Sequence, residues 1–327
     1  MIKIFAVGAD GKVAAPVSGL ENMDEHAVWI DAFSPSDTEL SRLDALMGIE
    51  VPNRHDITEI ELSSRLYKED GALVMIANLL PKASGKGTPP RPAAFILRKN
   101  LLLTIRYSEF YSFERKMARI PGSTDTSPVT VFCDLLEEAV ADRADNLENS
   151  MRVMEVLTSQ LFTAPDPSRG KLAPQQGPEL DEALRQIGSM GESVANIRES
   201  ITSLQRVVNY AYTYVPDGWV TDQRFILDSL KSDLTALSDE AGFFMNKLNF
   251  NLDATLGMIN IDESKIIRLL SVVTLLLSPP TLIAGIYGMN FDLMPELHWP
   301  SGYIFALGLM GITSISSIWY LKRRRWL

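Results

Sequence analysis

The sequence predicts an α+β membrane protein. An N-terminal α/β domain is followed by a long helical hairpin, then by a stalk helix that continues into the first of two closely spaced transmembrane helices. Three observations carry this. Leu269–Met289 and Tyr303–Leu321 are uncharged runs, each long enough as a helix to cross a hydrocarbon core of roughly 30 Å. Short apolar segments separated by turn signals fill the chain before Tyr111. From Val129 to Phe162 apolar residues recur at spacings of three and four, with neither proline nor glycine among them.

In chain order, Ile2–Val7, Ala27–Phe33, Ala72–Leu80, Ala93–Leu97 and Leu101–Ile105 read as strands, rich in β-branched and apolar residues. Ser36 with Glu39 three residues on forms a capping box opening a helix to Met47. The loop Lys82–Pro90 contains Gly85-Lys86, a fragment of a phosphate loop. The full motif requires glycine where Leu80 stands, Ser or Thr where Gly87 stands, and a helix that Pro89-Pro90 opposes, so the match is rejected; Gly8–Lys12 fails likewise. Residues 1–122 are therefore one cytoplasmic α/β domain. Residues 123–215 form an antiparallel helix pair with a polar linker near 164–177, the second helix starting at about Pro178 with Gly188 and Gly191 as weak points. Pro216-Asp217-Gly218 turns the chain and Asp222 can cap the next helix. The stalk, 219–265, runs on into a first span, 266–290. If continuous to Asn290 it is on the order of 100 Å long, too long to be stable without partners, and Ile226, Leu230, Leu234, Leu237, Phe244, Leu248, Leu252, Leu256 and Ile259 supply packing positions. A short loop (291–302), a second span (303–321) and a basic tail (322–327) complete the chain.

The net charge of −10 is concentrated before Ser264, because the stretch from there to the end is net basic. An acidic body argues against nucleic acid, whose phosphates need a basic footprint. The acids of the hairpin, Glu137, Glu138, Asp142, Asp145 and Glu148 among them, read as solvated faces. With Cys133 as the sole cysteine, disulfides and multi-cysteine zinc sites are excluded. The N-terminus lacks the apolar region of a signal peptide. Lys265 and Arg268 before the first span, and Lys322-Arg323-Arg324-Arg325 after the second, place both flanks in the cytoplasm and the short loop outside. His26, His55 and His298 are widely separated, so neither a catalytic constellation nor an enzymatic cofactor is expected.

At 100° per residue, Ser264, Ser271, Thr274, Ser278 and Thr281 fall within an arc of about 120°, shared by Gly285 and Gly288, with Ile267 and Leu270 at its inner end. Such an arc fits either a helix–helix interface or a water-lined face. The helix terminus favours the second. Its C-terminal end presents partial negative charge, Gly288 lets the backbone leave helical geometry and expose carbonyls, and Asn290 adds a neutral amide oxygen. Mg²⁺ gives up water reluctantly, so neutral oxygens suit capture of the hydrated ion.

Tyr287-Gly288-Met289-Asn290, with Phe291 and Met294-Pro295-Glu296-Leu297, resembles the signature of the CorA family of magnesium and cobalt transport proteins. The segment Asn249–Ile267 and the basic ending before Trp326-Leu327 are also similar, and Val28-Trp29-Ile30-Asp31 is a weaker echo in the N-terminal domain. The resemblance implies a homopentamer in a bacterial inner membrane, with one central pore lined by the first transmembrane helices. Gly288, Met289 and Asn290 would form the selectivity mouth, Glu296 would lie in the outer loop, and Ser264, Ile267, Leu270 or Ser271, Thr274, Ser278 and Thr281 would face the pore. It further implies Mg²⁺ as both transported and regulatory ion, with Asp228 and Asp233 as candidate regulatory ligands beside the plainer reading of a solvated helix face. Two departures stand out: Ser264 where relatives usually carry asparagine, and Ser278 where they carry a bulky apolar residue. The function expected is divalent cation influx, Mg²⁺ with Co²⁺ and Ni²⁺, gated by cytoplasmic Mg²⁺. A zinc transporter on the same scaffold is the alternative, and a membrane-anchored scaffold without transport is a second.

Overall fold

The computed structural model describes residues 1–22, 26–58, 65–82, 87–124, 126–162, 177–219, 223–289, 294–295 and 299–324. Asp222, Asn290, Phe291, Glu296, His298, Arg325, most of the linker near 164–177 and the centre of the Lys82–Pro90 loop lie outside the described residues. The chain divides into two units, Met1–Gly170 with Glu182–Leu252, and Lys171–Asp181 with Asp253–Leu327.

The first unit is built on a mixed sheet in the order β2 (Val17–Ser18), β1 (Ile2–Ala6), β3 (Ala27–Phe33), β7 (Leu102–Arg106), β6 (Arg91–Leu97), β5 (Ala72–Leu79) and β4 (Leu66–Glu69). Only β3 and β7 pair in parallel, through Trp29–Leu102 to Phe33–Arg106; the other ladders are antiparallel. The central strands are apolar on both faces because both are covered. Along β5 the two-residue period sends Val74 and Ile76 to one face and Leu73, Met75 and Ala77 to the other. On the first face lie α1 (Asp37–Met47), through Leu43 and Met47, and α2 (Arg54–Thr58), through Ile57. On the second lie Phe113 of α3 (Tyr111–Arg119) and Val131, Phe132 and Leu135 of α4 (Pro128–Phe162).

Local signals explain several boundaries. The Ser36 N–H donates to Glu39 Oε2 at 2.8 Å and the Glu39 N–H donates to Ser36 Oγ at 3.3 Å, so the capping box of α1 is closed. Gly48, at φ 63°, ends that helix in the left-handed region that glycine tolerates. Four elements were not foreseen: β2, β4, α2 and α3. Helix α3 thus falls inside residues 1–122, ahead of the helix pair expected from residue 123. Phe110, the residue before α3, makes no side-chain capping bond; what holds this short helix is burial of Phe113 between Phe95, Phe110 and Trp29, a tertiary cause that periodicity does not register.

Asp31 on β3 is 1% exposed and pairs with Arg106 of β7, Nη2 to Oδ2 at 2.9 Å and Nε to Oδ1 at 3.0 Å. The Thr104 hydroxyl donates to Asp31 at 2.8 Å and accepts from the Trp29 indole at 3.1 Å. The Arg106 guanidinium lies over the rings of Phe33 and Phe113. This satisfied network fills the parallel junction of the sheet.

The long helices follow: α4, α5 (Gly177–Tyr214) and α6 (Gln223–Tyr287). Arg143 donates to Ser200 at 2.8 Å and Gln223 to Thr130 at 2.9 Å; Gln205 donates to the Leu234 carbonyl at 3.1 Å and Arg224 to that of Tyr212 at 3.0 Å. These ties make α5 antiparallel to both α4 and the start of α6. Leu204, Val208, Leu230, Leu234 and Phe244 are buried between them. Helix α6 continues for 65 residues through Pro279 and Pro280, about 98 Å at 1.5 Å per residue.

The second unit contains the C-terminal part of α6 and α7 (Gly302–Arg323). Both helices hold stretches long and apolar enough to cross a membrane, with mean hydropathy of 2.0 and 1.7, and almost none of that surface is buried.

Candidate ion-conducting face

The apolar half of α6 is exposed in a manner that water would not tolerate. Ile266, Leu269, Leu277 and Leu282 are each more than half exposed, with Lys265 and Arg268 the only charged residues between 265 and 289. Lipid or other copies of the helix must cover them.

Against that surface the hydroxyl stripe is distinct. Ser264 Oγ donates to the Asn260 carbonyl at 2.7 Å, Ser271 Oγ to Ile267 at 2.8 Å, Thr274 Oγ1 to Leu270 at 2.9 Å, and Thr281 Oγ1 to Leu277 at 2.7 Å. Each bond runs to the carbonyl four residues earlier, the usual way a helix houses a hydroxyl. Once the proton is committed to the helix, the remaining oxygen lone pairs act as acceptors. Acceptors suit a hydrated cation, whose water protons point outward. Pro279 and Pro280 add to this, because neither has an N–H to give the carbonyls of Leu275 and Leu276.

An open groove of about 580 Å³ runs along this helix, lined by Thr274, Ser278, Thr281, Gly285 and Met289 with Leu277, Leu282 and Ile286. Five residues of the expected arc and mouth thus share one surface. Ser264, Ile267, Leu270 and Ser271 lie on α6 but do not line the groove, while Leu277, Leu282 and Ile286 were not singled out from sequence. They stand three, eight and twelve residues after Thr274 and flank the hydroxyl arc on either side.

At the helix end the Gly288 N–H still donates to the Ala284 carbonyl at 2.9 Å, and the Met289 N–H reaches Ile286 at 3.3 Å. Helix α6 ends at Tyr287, and Gly288 and Met289 follow as a turn, without the left-handed backbone of Gly48 or Gly122. A Cβ on Gly288 would stand 3.0 Å from the Ala284 oxygen. The helix C-terminus directs partial negative charge at this point.

Asp228 and Asp233 are both exposed on the N-terminal half of α6. Among the described residues no three His, Cys, Asp or Glu side chains gather as a metal centre. Asp233 is near enough to Glu137 to help hold that carboxyl above its usual range; burial is the larger cause, followed by Asp134 and Glu138. Cys133 is buried, its thiol pushed up to about 12 by desolvation, which makes it a core residue rather than a nucleophile.

A helix whose apolar half carries a stripe of hydroxyl acceptors, followed by a second apolar helix and preceded by a large acidic body, defines a two-helix membrane protein equipped to meet cations. The chain belongs to the CorA-like Mg²⁺ transporter protein family, whose sequence profile matches residues 24–323. It is 31% identical over 306 residues to the magnesium transport protein CorA of Escherichia coli (strain K12), covering 92% of each chain. To the protein of the same name from Salmonella typhimurium it is 30% identical over 305 residues, again covering 92% of each. Among solved structures, the complete CorA magnesium transporter from Methanocaldococcus jannaschii superposes with a TM-score of 0.77 over 100% of this chain and 99% of that one, at 20% identity. The full-length CmaX protein gives 0.69 over 99% and 98%, at 14% identity. At such identities these structures establish the shared fold: an α/β domain, long helices and two C-terminal membrane helices.

Proposed function

We propose that this chain is a homopentameric channel-like protein for Mg²⁺ influx, also passing Co²⁺ and Ni²⁺, and gated by cytoplasmic Mg²⁺. The observation that carries the reading is the groove of α6 that presents Thr274, Ser278 and Thr281 among apolar residues and leads to Gly288 and Met289. Repeated around a ring axis, that groove becomes a polar path through an otherwise apolar span, and the five helix termini add their negative ends at one mouth. Residues 1–122 and 123–215 form the cytoplasmic body in this reading and 219–265 the stalk. Residues 266–290 form the pore helix, 291–302 the outer loop, 303–321 the second span and 322–327 the inner tail. The basic flanks Lys265, Arg268, Lys322, Arg323 and Arg324 support an orientation in a bacterial inner membrane with both termini inside. An inside-negative potential then drives uptake with about 4.6 kcal/mol per 100 mV for a divalent ion.

Gly288, Met289 and Asn290 serve as the selectivity mouth, and Glu296 belongs to the outer loop. Ser264, Ile267, Leu270, Ser271, Thr274, Ser278 and Thr281 line the path, with Ile267 and Leu270 closing it by dewetting. Asp228 and Asp233 are the candidate regulatory carboxylates. Transport here rests on hydration and electrostatics, without a covalent step. Asn290→Ala protein in liposomes should lose Mg²⁺ flux; retention of wild-type flux refutes the assignment. The same flux panel run with Co²⁺, Ni²⁺ and Zn²⁺ ranks the cargo.

A further inference from the structure

The first unit contains a cavity that the transport reading leaves unused. It measures about 630 Å³ and lies between the β4–β5 edge of the sheet and α5, with Met245 of α6 contributing. One wall is apolar: Leu66, Ile76, Ala195 and Met245. The other carries Arg65, Arg198 and Arg206, with Glu199 the one carboxylate among the described residues that line it. In a chain of net charge −10, this local excess of guanidinium is out of character.

Arg65 is held in place. Asn78 accepts from Arg65 Nη1 at 3.2 Å and gives its side-chain amide to Glu199 at 2.8 Å. Its backbone N–H donates to Ser203 at 2.8 Å, and its carbonyl accepts from Ser200 at 2.7 Å. Ser200 in turn accepts from Arg143, a fully buried residue of α4. Arg198, Thr202 and Arg206 recur every four residues along α5, so they share one face. Among the described residues neither Arg198 nor Arg206 forms an ion pair. Burial lowers the pKa of Arg65, Glu199 opposes that, and the nearby charge of Arg206 adds to it. Crowded cations beside an apolar wall call for an anion from outside.

We propose that this cavity binds a phosphorylated small molecule of nucleotide size, its phosphates on Arg198, Arg206 and Arg65 and its apolar part against Leu66, Ile76 and Met245. Guanidinium forks match phosphate oxygens two by two, and the volume lies within the range of small-molecule sites. A carboxylate side chain would engage the arginines yet leave the apolar wall bare, which favours a ligand bearing both parts.

Isothermal titration of the full-length protein in nanodiscs, with free Mg²⁺ held constant because nucleotides chelate it, tests this with ATP and inorganic pyrophosphate. ATP should bind saturably, once per chain and at least about tenfold more tightly than pyrophosphate, which lacks an apolar part. Arg198→Ala and Arg206→Ala, both exposed, should each weaken ATP at least about tenfold while melting temperature and particle size stay unchanged. Absence of ATP binding overturns the proposal, as does ATP affinity unmoved in the double variant. Variants that change the oligomer while wild-type protein ignores ATP would identify the cavity as a contact between copies, and also overturn it.

Discussion

Thr281→Val isolates the chemistry of the proposed path. Valine matches threonine in shape and branching, so the groove lined by Thr274, Ser278, Thr281 and Gly285 keeps its volume while one acceptor is lost. The folded chain should hardly notice, because the hydroxyl's only described bond is the 2.7 Å link to the Leu277 carbonyl, and such back-bonds contribute little to helix stability. A passing hydrated ion, in contrast, loses an acceptor from every copy it touches. At about 0.5–1.5 kcal/mol for each hydrogen bond, and with roughly two copies in contact at once, the barrier rises by ~1–3 kcal/mol, a slowing of about 5- to 150-fold. Mg²⁺ uptake into liposomes containing a fluorescent indicator reads this directly, with Thr281→Ser as the control that keeps the oxygen and should retain most of the flux. Wild-type flux in Thr281→Val, at equal reconstitution, would refute the idea that this hydroxyl faces the ion.

Other expectations follow from the same structure. Asp31→Ala strands the buried Arg106 guanidinium and should cost about 3–5 kcal/mol, read as a lower thermal midpoint; Asp31→Leu combined with Arg106→Met should recover most of it. Gly288→Ala brings a Cβ to 3.0 Å from the Ala284 oxygen, so flux should fall while assembly, measured by size, persists. Glu137 has its carboxyl raised, first by burial and then by Asp134, Glu138 and Asp233, so folding favours its protonated form. Its contribution to stability is therefore full below its unfolded pKa and lost as pH rises through the folded value. Glu137→Gln should thus match the parent protein in acid and be the more stable at neutral pH, by about 0.5 kcal/mol or less for a carboxyl only partly buried.

How much of this was legible in the sequence depended on whether a residue's role is local. The capping box at Ser36 and Glu39, the strand Ala27–Phe33 and the limits of α4 and α5 follow from propensity, period and breakers within a few residues, and the structure places them as expected. The hydroxyl stripe was equally readable, because 100° per residue is a property of the helix itself. Missed features are those set by distant partners. Helix α3 exists because Phe113 meets Phe95 and Phe110, and β4 because its backbone completes a ladder with β5 at the sheet edge. Leu66–Glu69 alone does not announce a strand. The arginine cavity was invisible for the same reason: Arg65 and Arg206 are neighbours only after the sheet edge meets α5.

Helix α6 joins these two kinds of legibility, and its exposed residues say what the isolated chain lacks. In its membrane half the bare surface is continuous leucine, isoleucine and valine, which lipid can cover. Nearer its start, Phe225, Phe243 and Phe250 are 82%, 65% and 67% exposed, yet Asp228, Asp233, Asp239, Glu240 and Lys247 are interspersed with them. Lipid cannot cover a face so charged, and water is a poor neighbour for three phenylalanines. A protein surface that offers apolar contact and polar partners together meets both demands. In the proposed ring, further copies of this chain would bring such surfaces to every stalk and align the α6 grooves around one axis. In the proposed homopentamer, further copies of α6 would meet both the exposed stalk aromatics and the hydroxyl acceptors of the span.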